Sequence, residues 1–239
     1  MKKLYIVIPA YNEKDTIREV IEQWYSVIEK IGEYSRLVVV DDGSRDNTYH
    51  IMLDSAKNRP QFIPLTKENG GHGATILFAY EYAIKNGADY IFQTDSDGQT
   101  DPEEFWQFWR LREDYDMIIG HRNARQDGFS RIIVTKVLKM ALKLCFGVKI
   151  LDANTPFRLM KADTLEKNIS LIPKDFNLSN VMISVIYVRK KLKIKFIPIT
   201  FKPRQGGINS INMKKIMKIG IQALRDFRKI NRNLKREGC

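Results

Sequence analysis

Apolar residues in the first half of this chain come in short runs, separated by longer stretches of mixed character. Leu4-Tyr5-Ile6-Val7-Ile8 is the first run and stops at Pro9. Similar runs follow, and their length and β-branched or aromatic content predict strands at 4–8, 37–40, 62–65, 89–93 and 116–119. Leu37-Val38-Val39-Val40 has no polar position, as expected of a strand covered on both faces. Between the first two runs, Ile17, Val20, Ile21, Trp24, Val27, Ile28 and Ile31 recur at helical spacing and predict a helix over about 14–31 with one apolar stripe. Strands alternating with helices imply an α/β architecture, a mostly parallel sheet flanked by helices. The second half is less regular. It predicts a helix over 131–147, a turn and short strand between Asp152 and Lys161, a helix over 176–190 and a strand over 192–201.

From about residue 212, Met213, Ile216, Met217, Gly220, Leu224 and Phe227 return at helical spacing among many Lys and Arg. Such a segment is either a solvated helix docked on its own domain or a basic amphipathic helix on anionic lipid. Lys136, Lys139 and Lys143 share a helical face among apolar residues, so a second segment has the same character.

At 239 residues the chain can bury one large core, or one domain with an appendage. No apolar stretch approaches the roughly 18 residues of a membrane span. The basic start leads into a strand and not into a signal peptide. Two cysteines, Cys145 and Cys239, suggest no disulfide framework and fit a reducing cytoplasm. Charge divides the chain. Residues 1–120 carry 13 Lys and Arg against 21 Asp and Glu, net −8, and residues 121–239 carry 27 against 7, net +20. The basic half suits something anionic: phosphates, a membrane surface or nucleic acid.

The candidate chemistry sits at strand ends, where open α/β sheets bind ligands. Asp95 and Asp97 follow the run Ala88-Asp89-Tyr90-Ile91-Phe92-Gln93. Two carboxylates one residue apart, with Ser96, Gly98 and Gln99 around them, suit a hard divalent cation, Mg²⁺ or Mn²⁺. A turn or helix cap is the plainer use of such a pair, but Asp101-Pro102-Glu103-Glu104 already supplies the next helix with its cap. Ile8-Pro9-Ala10-Tyr11-Asn12-Glu13 ends the first strand. Asp41-Asp42-Gly43-Ser44-Arg45-Asp46-Asn47-Thr48 ends the second, where Ser44 or Asp46 would cap the following helix and Asp41 and Asp42 would seek a partner. Asn69-Gly70-Gly71-His72-Gly73-Ala74 is a glycine-rich loop opening a helix, a setting that favours anions, without the Lys-Ser/Thr of a P-loop.

Taken together, these motifs resemble the inverting glycosyltransferases of the GT-A fold, family 2. The likeness runs from Ile8 to about Ser210, and within the family it is greatest to the dolichol-phosphate mannose synthases and bacterial polyprenyl-phosphate glycosyltransferases. The resemblance implies a GT-A domain over 1–210, with a nucleotide-sugar and metal half (1–120) and an acceptor half (121–210), followed by a basic helix over 211–239. It implies metal ligation by Asp95, Asp97 and Gln99, and a nucleotide pocket lined by Pro9, Tyr11, Glu13, Asp41, Asp42, Gly73 and Asp95. Arg122, Arg131, Thr135, Arg204 and Ser210 fall where that subgroup meets the acceptor phosphate. Guanidinium groups are natural clamps for phosphate oxygens. Thr135 stands where the subgroup has serine, Pro156 where many relatives have glycine, and there are no C-terminal membrane spans.

The expected reaction moves a sugar from a UDP- or GDP-sugar to a polyprenyl phosphate on the cytoplasmic face of the membrane. Asp97, Arg122, Arg131 and Arg204 would act in catalysis. With a saccharide hydroxyl as acceptor, Asp152 would be the leading base. A nucleotidyltransferase or a nucleic-acid-binding module would be remote alternatives. The acidic strand ends argue against nucleic acid as a partner.

Overall fold

The computed structural model describes residues 2–122 and 129–202, together with 226–228, 230–232 and 234 of the tail; the side chains of 129–134 lie outside that description. Seven strands form one sheet: β1 (Leu4–Ala10), β2 (Arg36–Asp41), β3 (Phe62–Thr66), β4 (Tyr90–Gln93), β5 (Met117–Arg122), β6 (Arg158–Lys161) and β7 (Ile194–Ile199). The helices are α1 (Ile17–Ile31), α2 (Thr48–Ala56), α3 (His72–Lys85), α4 (Phe105–Arg110), α5 (Phe129–Phe146), α6 (Ala162–Ile169) and α7 (Ser179–Arg189). All five strands expected in the first half are present, and the α1 stripe is buried from Ile17 to Ile28. Helix α6 follows β6 directly and has no counterpart in the sequence reading.

Strand order is β3-β2-β1-β4-β6-β5-β7. Pairs β1–β2, β2–β3, β1–β4 and β5–β7 are parallel, whereas β6 runs antiparallel to both β4 and β5. The chain leaves β1 toward β2 and β3 on one side and returns on the other as β4. Such a reversal opens a crevice beyond the carboxyl ends of the two strands. The segment Pro9–Glu13, the Asp41–Asp42 pair and the Asp95–Asp97 pair lie at or just beyond the carboxyl ends of β1, β2 and β4, which are neighbours in the sheet.

Alternation along the strands feeds two cores, since successive side chains point to opposite faces. Leu4, Ile6, Ile8, Leu37, Val39 and Phe92 join α1, α2 and α4 on one face. Tyr5, Val7, Val38, Val40 and Ile91 join α3, α5, α6 and α7 on the other. Phe92 anchors β4 beneath the acidic pair, with ring centroids 4.7 Å from Phe157, 5.0 Å from Phe105 and 5.3 Å from Trp24. The contacts with Phe157 and Phe105 are edge-to-face, a geometry that fixes orientation as well as burying area.

The tail decides between the two alternatives at its described positions. Phe227, which a lipid-facing helix would set at the headgroup boundary, is 1% exposed and packs on Phe146 and Phe176, with Ile230 and Leu234 buried beside it. Asn231 donates to the Cys145 carbonyl oxygen at 2.6 Å and accepts from Arg189. These positions are one helical stripe, and they dock on the protein's own core. Ile216 and Leu224, which the lipid alternative would set beside Phe227, lie outside the described residues.

Candidate active site

Two loops are tied together at the mouth of the crevice. Asn12 has φ +55, the left-handed region that a short polar side chain tolerates, which turns the chain sharply after β1. Its amide N–H donates to Ser44 Oγ at 2.8 Å, and its side-chain oxygen accepts from the Arg45 amide at 2.8 Å. Glu13 N–H donates to Thr48 Oγ1 at 2.9 Å. Ser44 therefore braces the turn and does not cap α2, while Asp46 accepts from the Thr48 amide at 3.0 Å. Tyr11 stands at the rim, 42% exposed, and Pro9 is buried.

Asp41 and Asp42 are 2% and 3% exposed, and both have partners within the protein. Asp41 accepts from the Ser44 amide and from Thr66 Oγ1 at 3.0 Å. Asp42 accepts from the amides of Gly70 and Gly71, each at 2.9 Å, and pairs with Lys67. The anion held by the N–H groups of Gly70 and Gly71 is thus a side chain of the same protein. Burial opposes ionisation of Asp42, but hydrogen bonds from Lys67, Gly70 and Thr75 outweigh it and hold its carboxyl below the usual carboxylate pKa.

Gly73 is required by packing: a Cβ there would lie 2.1 Å from the Phe176 carbonyl oxygen. The amino end of α3 can approach the loop before α7 only because that atom is missing. The next residue back, His72, was not singled out by the sequence reading. Its Nε2 lies 3.1 Å from Asp95 Oδ1. Burial disfavours the imidazolium, yet the charge and hydrogen bond of Asp95 raise the His72 pKa above 6.5.

Beyond β4, Asp97 accepts from the Gln99 amide at 3.2 Å. Gln99 Nε2 donates to the Lys202 carbonyl oxygen at 2.8 Å, and the Lys202 amide donates back to Gln99 O at 2.8 Å. This reciprocal pair commits the amide nitrogen of Gln99 and leaves its oxygen as the atom suited to a hard cation. Asp101 accepts from the Glu103 amide at 3.1 Å with Pro102 at the first position, so it caps the turn that leads into α4. Among the described residues no three His, Cys, Asp or Glu side chains converge as a self-sufficient metal cage.

At the carboxyl end of β5, Arg122 Nε and Nη2 donate to the two carboxylate oxygens of Asp152, at 2.9 and 3.1 Å. Its guanidinium also lies 5.0 Å from the centre of the Phe201 ring. Gly120, two residues earlier, has no room for a Cβ, which would meet Ile199 at 2.7 Å. Beneath this pair lies Arg158, fully buried and also missed by the sequence reading. It donates to the carbonyl oxygens of Ala153, Thr155 and Asn180 and so fixes the loop that carries Asp152. Burial pulls its pKa below the usual arginine value. Thr135 lies half-buried on α5. The side chain of Arg131, and Arg204 and Ser210 altogether, lie outside the described residues.

Residues 5–169 match the family described as Glycosyl transferase family 2. Among solved structures, the chain is similar to glucosyl-3-phosphoglycerate synthase from Mycobacterium tuberculosis in complex with Mn²⁺, UDP-glucose and phosphoglyceric acid. The identity is 16% and the TM-score 0.70, over 96% of this chain and 80% of that one. It is also similar to mannosyl-3-phosphoglycerate synthase from Rubrobacter xylanophilus, at 15% identity and TM-score 0.67, over 99% of this chain and 75% of that one.

Proposed function

Since the chain belongs to glycosyl transferase family 2, we propose that it transfers a sugar, with inversion, from a UDP- or GDP-sugar to the phosphate oxygen of a polyprenyl phosphate. The observation that carries the acceptor reading is the Arg122–Asp152 pair. Both oxygens of Asp152 accept from Arg122. A hydroxyl acceptor needs a base to take its proton, and a carboxylate gripped at both oxygens by a guanidinium is poorly suited to that task. A phosphate is already an anion at neutral pH and needs charge compensation and positioning instead. Arg122 supplies both, since two bonds to Asp152 use only two of the five N–H groups of a guanidinium. Arg131, Arg204, Thr135 and Ser210 are proposed to complete the acceptor site.

On the donor side, Tyr11 and Pro9 would meet the base or ribose at the rim. Asp41 and Asp42 would shape that pocket by holding the turn at Ser44 and the loop at Gly70 and Gly71, in place of the direct nucleotide contact that the resemblance implied. The donor set fits a divalent cation: the carboxylates of Asp95 and Asp97 and the oriented amide oxygen of Gln99, the rest of the shell being left to water and diphosphate. When bound, the cation would neutralise charge on the leaving diphosphate. His72 would hold Asp95 in a fixed orientation. The two similar solved structures are a glucosyl-3-phosphoglycerate synthase and a mannosyl-3-phosphoglycerate synthase. A small phosphorylated acceptor is therefore the second reading, and it shares the demand for a phosphate clamp.

The test has two stages. Thermal unfolding with Mn²⁺ and a panel of UDP-, GDP- and dTDP-sugars should show a rise in midpoint with one nucleotide class, because a ligand that binds only the folded state stabilises it. The selected donor is then offered a short-chain polyprenyl phosphate, 3-phosphoglycerate and a neutral saccharide, with products read by mass spectrometry. Transfer to the lipid phosphate supports the first reading. Transfer only to phosphoglycerate establishes the second, and transfer only to a neutral saccharide overturns both.

A further inference from the structure

Eight large apolar side chains are conspicuously exposed among the described residues, and four of them fall within fifteen residues of one another: Val137 (47%), Met140 (59%), Leu144 (77%) and Leu151 (50%). Helix α5 presents the first three at i, i+3 and i+7, one strip of its surface. Lys136, Lys139 and Lys143 repeat the same spacing one residue earlier, form the adjoining strip and are exposed, as is Lys149. Leu142 and Phe146, on the opposite side of the helix, are buried in the protein's own core, and Ala141 is buried at the flank of the strip. The helix is therefore already docked by one face, and the outward face is unpartnered among the described residues.

Its charge is one-sided. From Gly128 to Leu151 the sequence contains Arg131, Lys136, Lys139, Lys143 and Lys149 and no Asp or Glu. A contiguous apolar strip on a surface marks an interaction site. A lysine strip beside it, with no acid, narrows the partner to an anionic one. A second copy of the chain would bring the same lysines against each other across a two-fold axis. We infer that the outward face of α5, continued by Lys149 and Leu151, is the surface by which this protein docks on an anionic lipid bilayer: Val137, Met140, Leu144 and Leu151 enter the headgroup boundary and the lysines meet the lipid phosphates. The inference rests on the polyprenyl-phosphate reading for its purpose, because Leu151 precedes Asp152, the partner of Arg122. The docked edge would then be the acceptor edge. The tail plays no part in it through Phe227, Ile230 or Leu234, which are spent on the internal core.

Vesicle co-sedimentation of the full-length protein tests this without any acceptor or donor. Vesicles of phosphatidylcholine with phosphatidylglycerol should retain the wild type, and pure phosphatidylcholine should retain far less. Lys136→Gln/Lys139→Gln/Lys143→Gln/Lys149→Gln should weaken retention at least tenfold. Val137→Ser/Met140→Ser/Leu144→Ser/Leu151→Ser should do the same while thermal unfolding and Mn²⁺-dependent nucleotide binding stay unchanged, since all these side chains are exposed. Wild-type indifference to anionic vesicles, or variants that bind as wild type does, overturns the docking surface. A wild-type dimer in solution that Leu144→Asp converts to monomer would overturn it in favour of self-association. Loss of vesicle binding by the variants, with a wild type that glycosylates only phosphoglycerate, would keep the surface and reject the acceptor reading.

Discussion

At the scale of single residues, the acids near the strand ends do two different jobs here. Asp95 and Asp97 lie half-buried just beyond the end of β4, and the cation proposal needs their charge. Asp95→Asn and Asp97→Asn should each leave the unfolding midpoint nearly unchanged yet lower Mn²⁺-dependent nucleotide affinity by at least roughly tenfold, the scale of losses seen when metal-site partners are removed. Titration calorimetry with and without EDTA checks this, and a double variant that binds nucleotide normally would sink the metal assignment. Asp42 is architectural. Its carboxyl is held below the usual value by Lys67, Gly70 and Thr75. A depressed group adds stability above its unfolded pKa, about 3.9, and loses that contribution as pH falls through the folded value. Wild-type protein should therefore lose thermal stability more steeply than Asp42→Asn as pH falls below about 4, whereas at pH 7 the variant should be the less stable by roughly 3 kcal/mol, because Lys67 is left with a buried neutral partner. Gly73→Ala should cost about 2 kcal/mol through overpacking against the Phe176 carbonyl, measurable by urea unfolding.

Among the elements, the tail and α5 have similar composition but different burial. Both are basic and amphipathic. The tail stripe of Phe227, Ile230 and Leu234 is buried against Phe146 and its neighbours, whereas α5 shows Leu144 and Met140 outward. Phe227→Ala should then destabilise the fold by about 3 kcal/mol, as large-to-small changes in cores do, and leave retention by anionic vesicles at the wild-type level in the folded protein. Loss of vesicle binding with an unchanged unfolding midpoint would return the tail to the lipid. The physical lesson is that periodicity measures how apolar a helix face is, and the same stripe suits a protein core or a bilayer.

For the whole molecule, an acidic first half and a basic second half share one sheet. The two acceptor readings differ in what Asp152 does, and one substitution separates them. If the nucleophile is a phosphate oxygen, Asp152→Asn disturbs only the positioning of Arg122 and should raise the acceptor KM with a small change in kcat. If the nucleophile is a hydroxyl and Asp152 takes its proton, kcat should fall by roughly 10²–10⁴-fold. Steady-state kinetics with each acceptor at saturating donor gives the answer.

Local pattern was enough for the first-half strands, the α1 stripe, the Asp101 cap and the positions of the acidic pairs at strand ends, because each depends on residues a few places apart. Long-range pairing decided the rest. The reversal of β6 between β4 and β5 follows from which edges meet, and no periodicity encodes direction. Asp42 finds Gly70 and Gly71 across 28 and 29 residues, His72 finds Asp95 across 23, and Arg122 finds Asp152 across 30. Asp41 and Asp42 read as acids seeking a ligand, since a sequence shows the charge of a side chain without its partner. Only folding, which brings donors from distant segments within hydrogen-bonding reach, revealed that their first partners are internal.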